Sequence, residues 1–213
     1  MEDRIGRILD FLGETDGLKR IYRAGYLSDG SRHESDAEHM WHLGIYALAL
    51  QGETGFSGDI GRVLTLVLVH DMVELYAGDT YAYDTERVKD QAEREEASAQ
   101  RLFGKLPAEI ADFFYGAWRE FENQSTPEAR FARALDHLQG FSQNVLSAGK
   151  SWRENGITRK RTSLRTGFPS EYSPALAEIV GRLYARADEK GLFAPEVALP
   201  GPEGVVAQGQ KEA

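Results

Sequence analysis

Hydrophobic residues recur along this chain at the spacing of amphipathic helices, and no stretch alternates convincingly between apolar and polar residues as a strand would. The first such run covers residues 5–12 and predicts a short helix that closes at Gly13. Ser35, followed three residues later by Glu38, has the form of a capping box, which predicts a second helix over residues 36–51.

Start and stop signals predict the next three helices. Asp59 opens a third helix that runs to about residue 77, where Gly78 is placed to end it. A heavily charged fourth helix is expected over residues 85–103. A fifth helix follows Pro107, and its apolar stripe, which includes Phe113, is predicted to be buried.

Two further helices begin with a capping residue followed by proline at the first helical position. One is predicted from Thr126 to about Gly149, and the other opens at Ser173. The sequence therefore predicts an all-α, single-domain helical bundle over residues 1–192. Residues 193–213 are rich in Gly, Pro, Glu and Ala, and they are expected to form a loosely ordered tail.

Composition narrows the possible functions. A chain of 213 residues suits one domain, and its formal net charge of -9 argues against binding to a nucleic acid polymer or to an anionic membrane surface. The absence of cysteine excludes disulfides and thiolate metal sites. The charged, amphipathic N-terminus does not resemble a signal peptide, and no apolar run is long enough to cross a bilayer. We therefore expect a cytoplasmic protein.

Candidate chemistry appears at the end of the third helix. Residues 63–69 are apolar all round, so this helix should be buried on most sides. His70, Asp71 and Glu74 follow at spacings that place them on one face of the same predicted helix. Because an ionised carboxylate buried without a partner is costly, this group needs a compensating charge, and a divalent metal ion is the simplest one.

The same reasoning identifies two more candidate ligands, His39 on the second helix and Asp136 on the sixth. With His70 and Asp71 they form a set of two imidazoles and two carboxylates. Such a set suits Mn, Co, Fe, Ni or Zn better than Mg or Ca, and it leaves positions for water and a phosphate oxygen. Two alternatives stay open: a His-Asp dipeptide is common, and Asp136 alone would also fit an ordinary salt-bridged carboxylate.

The motifs match a known family at this point. Four segments, in the family's order, carry the match: residues 18–23, 34–41, 70–79 and 134–136. The pattern resembles the HD-domain phosphohydrolases and, more narrowly, the HD-domain 5′-nucleotidases that act on deoxynucleoside monophosphates. The resemblance implies an HD-type helical bundle, one divalent metal ion, a nucleotide substrate and a homodimer.

The resemblance also implies roles for particular residues. The metal ligands would be His39, His70, Asp71 and Asp136. Glu74 would be the catalytic carboxylate and Asp79 a second active-site acid. Arg23 would be the arginine that contacts the substrate phosphate. The sequence departs from the family beside that arginine. Ala24 and Gly25 follow it, where nucleotidases of this group can carry an aromatic residue, so the resemblance does not extend to the sugar preference.

The remaining histidines and the basic segment are given structural roles. His33, His42 and His137 are interpreted as supporting or surface residues. Arg159–Arg161, with Lys150, Arg153 and Arg165 nearby, is interpreted as a solvated face, the alternative being a border to the phosphate end of the pocket.

The function predicted is metal-dependent hydrolysis of a phosphomonoester, most simply a (deoxy)nucleoside 5′-monophosphate. Alternatives are HD phosphohydrolases that act on a cyclic nucleotide, guanosine tetraphosphate or a deoxynucleoside triphosphate, and a non-catalytic helical module stabilised by its metal. No histidine lies between His70 and Asp136, which argues against the two-metal phosphodiesterases of this fold. A purely structural metal site would need no free carboxylates such as Glu74 and Asp79 beside it.

Overall fold

A computed structural model describes residues 3–196 and confirms the all-α fold class. The α-helices have the following bounds: α1 Arg4–Thr15, α2 Asp36–Leu50, α3 Ile60–Val69, α4 Glu74–Ala77, α5 Gln91–Phe103, α6 Ala108–Asn123, α7 Pro127–Leu146, α8 Lys150–Glu154, α9 Ser163–Tyr172 and α10 Pro174–Glu189. Two short strands, β1 Tyr22–Tyr26 and β2 His33–Ser35, pair antiparallel. Short 3₁₀ turns cover Asp16–Arg20, Arg87–Lys89 and Lys160–Thr162.

Capping side chains set several of the helix starts, as the sequence predicts. Both hydrogen bonds of the capping box at the start of α2 are present, between Ser35 and Glu38. Thr126 caps α7 by accepting a hydrogen bond from the backbone N–H of Ala129, and Ser173 caps α10 in the same way. Local sequence therefore determines where these helices begin.

The predicted third helix is wrong in one respect, because it breaks after Val69. The backbone turns over residues 70–73 before the short helix α4 begins. In this turn the hydrogen bonds tighten, with Met72 N–H donating to Val69 O and Glu74 N–H to Asp71 O. The break re-aims the side chains that follow, so the candidate site residues lie at a turn and not along one continuous helix face.

The prediction that the chain lacks strands is also wrong, since β1 and β2 form a small hairpin. Tyr22 pairs with Ser35 and Tyr26 with His33, with an irregular register between them. The strands are five and three residues long, and buried and exposed positions do not alternate along either of them, so they lack the pattern by which a strand is recognised in sequence. The hairpin carries Arg23 toward the bundle.

Smaller departures concern helix ends and one predicted core residue. Helix α1 continues through Gly13 to Thr15, while α7 ends at Leu146, shortly before Gly149. Helix α9 was not predicted. Phe113 is half-exposed, although Phe121 on the same helix is buried as expected.

Helix α7 is the centre of the bundle, and it packs against α2, α3, α6, α9 and α10. Along it, apolar residues such as Phe131, Leu135 and Leu138 are fully buried and join the main core. Because α2 and α3 both pack on α7, polar side chains on the inner faces of these three helices lie close to one another.

The predicted tail falls mostly outside the described residues, which end at 196. Within the described part, Phe193 stacks on Trp152 with ring centroids 4.9 Å apart, and the N–H of Ala194 donates to Ile157 O. Residues 193 and 194 are therefore packed on the bundle. None of the helices in residues 3–196 combines the length and apolar character that a bilayer crossing requires.

Glu95 on α5 gives a prediction about stability. It is buried, it accepts a hydrogen bond from Gln91, and burial raises its pKa to about 7. As pH rises from about 4.5, the carboxyl ionises in the unfolded chain before it can in the folded one, so the free energy of unfolding falls. Glu95→Gln should raise that free energy by about 1–3 kcal/mol at pH 8 and change it little at pH 4.

Denaturant unfolding at the two pH values measures this effect. The control is Glu93→Gln, which changes an exposed carboxylate on the same helix. An equal gain at both pH values would mean that titration of Glu95 is not the cause.

Candidate active site

Three helices bring the four predicted metal ligands together. His39 projects from α2, His70 caps the end of α3, Asp71 lies in the following turn, and Asp136 projects from α7. His39 Nε2 lies 3.3 Å from Asp136 Oδ1 and 3.6 Å from Asp71 Oδ2. His70 Nε2 lies 3.0 Å from the same Asp71 oxygen. These four side chains therefore form one cluster, although they come from distant parts of the sequence.

Three of these atoms are buried without a hydrogen-bond partner among the described residues: His39 Nε2, His70 Nε2 and Asp136 Oδ1. Bringing imidazole lone pairs and carboxylate oxygens together without a cation would be costly. Donor atoms of His39, His70 and Asp136 all lie within 4.8 Å of one another, and Asp71 Oδ2 lies 3.6 Å and 3.0 Å from the two imidazoles. Ligands that each lie about 2.0–2.2 Å from one ion are about 3.0–3.5 Å from one another, which is close to the measured separations. The donor set and its spacing therefore fit one divalent metal ion.

Hydrogen bonds on the far side of each ring orient the two imidazoles. His39 Nδ1 lies 2.8 Å from Gln139 Oε1, and His70 Nδ1 lies 3.0 Å from the Val67 carbonyl oxygen. Both partners accept, so each ring carries its proton on Nδ1 and directs the Nε2 lone pair toward the cluster. Gln139 is held in turn, because its Nε2 donates to Glu34.

Sequence reasoning missed Gln139. The available signal was a polar side chain three residues after Asp136, on the same face of a helix that is otherwise apolar inward. Gln139 is fully buried, and its role depends on contact with a residue on another helix.

Gln139→Leu should weaken metal binding by about 10- to 100-fold, because the leucine cannot hold His39 in the required tautomer. Competition against a chelator of known affinity measures the change. Gln143→Leu is the matched control, since Gln143 lies one turn further on α7 but donates to the carbonyl of Tyr26. Equal losses in the two variants would contradict a role specific to Gln139.

Arg23 lies among four carboxylates beside the imidazoles. Its Nη1 donates to Asp71 Oδ2 at 2.6 Å. The same nitrogen is 3.5 Å from Asp36, 3.7 Å from Asp79 and 3.8 Å from Glu74. Asp36, Asp71 and Glu74 would by themselves resemble a second cation site, and here the guanidinium supplies the positive charge.

Asp36 was also missed by sequence reasoning, although it is completely buried. Asp36 is the first residue of α2, directly after the capping residue Ser35. An acidic residue is common at the start of a helix, so its position in the sequence indicates no other role. Burial raises the pKa of Asp36 to about 7 and that of Glu74 well above its ordinary value. Both shifts have the same main cause, which is that these carboxyls lie away from water and close to other carboxylates.

Asp79 follows Gly78, whose φ of 72° lies in the left-handed region that favours glycine. The side chain of Asp79 is largely buried, and burial raises its pKa. It lines a cleft next to Arg23 rather than turning toward solvent, as a residue with only a turn-forming role would.

The cleft lies beside the candidate ligands, because two of its lining residues contact them: Arg23 donates to Asp71, and Arg165 donates to Asp136. The space within it, together with the part continuous with open solvent, is about 590 Å³. The charged walls are formed by Arg23, Glu34, Asp79 and Arg165. The other walls include Ala24, Gly25, Tyr81, Tyr83, Phe141, Gln143 and Asn144. A ligand with an anionic end and a flat, partly polar body matches this lining.

The other histidines lie around the cluster without joining it. His33 stacks on Tyr26, His42 Nδ1 lies 3.3 Å from Gln139 Nε2, and His137 packs against Phe168.

The basic segment divides between the surface and the cleft. Arg159 pairs with Asp188 on an exposed face, and Arg161 donates to the carbonyl of Tyr83. Arg165 does not lie on the solvated face that was favoured for this segment; it lines the cleft, as in the alternative interpretation, and donates to Asp136.

Comparison with known proteins relates this chain to proteins with an HD domain. Residues 15–175 match the HD domain family. The human protein 5′-deoxynucleotidase HDDC2 is 32% identical over 133 residues, which make up 62% of this chain and 64% of the human one. The fission yeast 5′-deoxynucleotidase hdd1 is 30% identical over 142 residues, or 64% of this chain and 70% of that protein. The match thus spans less than two thirds of the human relative's length.

A solved structure is similar over nearly the whole chain. It is that of a protein described as a predicted metal-dependent phosphohydrolase from Magnetospirillum magnetotacticum MS-1, with a TM-score of 0.84 and 38% identity. The similarity covers 91% of this chain and 97% of that one.

Proposed function

The chain belongs to the HD-domain family, and from that premise we propose that it is a metal-dependent phosphohydrolase that releases phosphate from (deoxy)nucleoside 5′-monophosphates. The observation that carries the proposal is the convergence of His39, His70, Asp71 and Asp136. Three of them direct toward one point a buried atom that has no hydrogen-bond partner among the residues that the structure describes. The names of the human and fission yeast relatives support the substrate class.

The residues around the cluster fit the demands of this reaction. When bound, a divalent ion supplies positive charge to the phosphate and lowers the pKa of water. The protein's own part is to hold that phosphate in the cleft and to exclude competing water. Arg23 and Arg165 are the cationic side chains in the cleft lining, and a guanidinium suits phosphate because its planar fork matches two oxygens.

Hydrolysis also requires two proton transfers. As water attacks phosphorus and the bond to the 5′-oxygen breaks, one proton leaves the water and one reaches the departing oxygen. Glu74 and Asp79, which flank Arg23, are the carboxyls we propose for these transfers. Glu74 is the deeper of the two, and its Oε2 has no hydrogen-bond partner among the described residues.

The position of Arg23 argues against the two-metal alternative. Its guanidinium lies among the carboxylates of Asp36, Asp71 and Glu74, in the space that a second ion held by these three residues would need. The non-catalytic alternative does not explain why Glu74 and Asp79 are kept buried beside the cluster at the cost that their raised pKa values imply.

A phosphate-release screen tests the proposed function. The panel contains deoxy- and ribonucleoside 5′-monophosphates, a cyclic nucleotide, a deoxynucleoside triphosphate and guanosine tetraphosphate, each with Mn, Co, Fe, Ni, Zn or Mg. We expect turnover of monophosphates with a transition metal. Both sugars are included because Ala24 and Gly25 leave open space beside Arg23. Preference for any other substrate class would overturn the proposal.

The proposal includes a cytoplasmic homodimer. A chain without cysteine suits a reducing compartment. Trp41, Ile45 and Leu48 form an exposed apolar stripe along α2, and its burial against a second copy would stabilise a dimer. Light scattering should then give twice the chain mass of 23.7 kDa, and Trp41→Lys should shift the protein toward a single chain. A wild-type mass of one chain would contradict this part.

A further inference from the structure

Arg165 stands out among the cleft residues because it belongs to α9 yet reaches the cluster. Helix α9 packs along α7, and a Cβ placed on Gly140 would lie 3.8 Å from Arg165 Nη2, so the guanidinium crosses α7 at this glycine. One turn earlier on α7, Asp136 Oδ2 accepts a hydrogen bond from the same nitrogen at 3.2 Å. Arg165 thus lies directly behind a candidate metal ligand.

The two oxygens of the Asp136 carboxylate face different residues. Its Oδ2 faces Arg165, while its Oδ1 faces His39 Nε2 and has no hydrogen-bond partner in the described part of the chain. A contact on one oxygen fixes the direction of the other. Arg165 is therefore a positioning residue for Asp136.

The guanidinium has donors left over after this contact. Arginine carries several N–H groups, and within residues 3–196 those of the Arg165 side chain make one hydrogen bond, to Asp136. The side chain is 21% exposed and lines the cleft. Arg23 differs, because four carboxylates surround its Nη1.

We propose that Arg165 binds a non-bridging oxygen of the substrate phosphate while it holds Asp136, linking the metal ligand to the anion. This rests on the proposed function, since it assumes a phosphate in the cleft. A guanidinium can serve two anions at once because its N–H groups point in different directions within one plane. The chain, with its net charge of -9, has few other cations in this cleft.

Arg133 provides a matched control. Its Nη1 lies 4.0 Å from the same Asp136 oxygen, but the residue also pairs with Glu122 and does not belong to the cleft lining. If Arg165 acts only by supplying charge near Asp136, substitutions at the two arginines should have similar consequences.

Calorimetry with inorganic phosphate tests the proposal without requiring turnover. Each protein is first titrated with the metal, and phosphate binding is then measured at a metal concentration that saturates that variant. Arg165→Gln should weaken phosphate binding by about 10- to 100-fold, the loss expected for a hydrogen bond to a charged group, while Arg133→Gln should bind phosphate like the wild type. Arg165→Lys should recover part of the affinity, because an ammonium retains the charge but not the fork.

Unchanged phosphate affinity in Arg165→Gln, or equal losses in Arg165→Gln and Arg133→Gln, would overturn the proposal. The outcome can be separated from that of the proposed function. A wild-type protein that binds phosphate through Arg165 but hydrolyses no nucleotide would contradict the function alone. An active enzyme whose Arg165→Gln variant keeps its phosphate affinity would contradict only the role of Arg165.

Discussion

Replacement of Glu74 by glutamine is expected to lower kcat by about 10²- to 10⁴-fold, the usual contribution of a positioned general acid or base. Glutamine has nearly the same shape as glutamate but cannot take up or release a proton at the required pH. Metal content should be unchanged, because Glu74 is not one of the four predicted ligands and its Oε2 lies 3.8 Å from the Arg23 guanidinium. Phosphate release and metal content, measured on the same sample, test both parts.

The melting temperature separates lost chemistry from lost structure in this variant. Because burial raises the pKa of Glu74 well above its ordinary value, the wild-type carboxyl is costly to ionise, and Glu74→Gln removes that cost. The variant should therefore melt no lower than the wild type near neutral pH. Glu95→Gln is the matched control, a buried carboxyl outside the cleft that should keep its kcat. Full activity in Glu74→Gln would remove this residue from the mechanism.

Removal of the metal by a chelator is expected to abolish turnover and to lower the melting temperature by roughly 5–15 °C. His39 and His70 direct their Nε2 atoms at carboxylates, and neither atom has a hydrogen-bond partner within residues 3–196. An ion that binds only the folded chain stabilises it by mass action, and this stabilisation is lost on chelation. Scanning calorimetry with and without chelator measures the shift.

Asp136→Asn supplies the control for chelation. The amide retains the shape of the side chain but removes the charge that would hold the ion. Its melting temperature should therefore hardly respond to the chelator. A wild-type protein that still hydrolyses substrate after complete chelation would exclude the metal from the reaction.

The helical frame could be predicted because its signals are local. Capping residues such as Ser35 and Thr126 act within one turn, so their effect can be read from neighbouring residues alone. The apolar run before His70 likewise indicates burial without reference to the rest of the chain. The break after Val69 was missed, since the same residues also suit a continuous helix and only tertiary packing selects the turn.

The candidate ligands were found by combining burial with family resemblance, and the structure brings them together. The contacts that support these ligands were not predicted, because they form across the bundle. Gln139 meets His39 across 100 positions of sequence, and Arg165 meets Asp136 from a helix that was not predicted. Nothing near either residue in sequence marks such a partner. The place of Asp36 beside Arg23 was not predicted for a different reason, because an acidic residue at the start of a helix needs no further role.

The decisive test of a single catalytic metal ion is to titrate the metal-free protein with one transition metal. Bound metal and phosphate release from a deoxynucleoside 5′-monophosphate are followed in the same titration. Activity should rise in step with the bound metal and reach its plateau at one ion per chain. Activity that persists without metal, or that appears only when a second ion binds, would contradict a single metal centre built from His39, His70, Asp71 and Asp136.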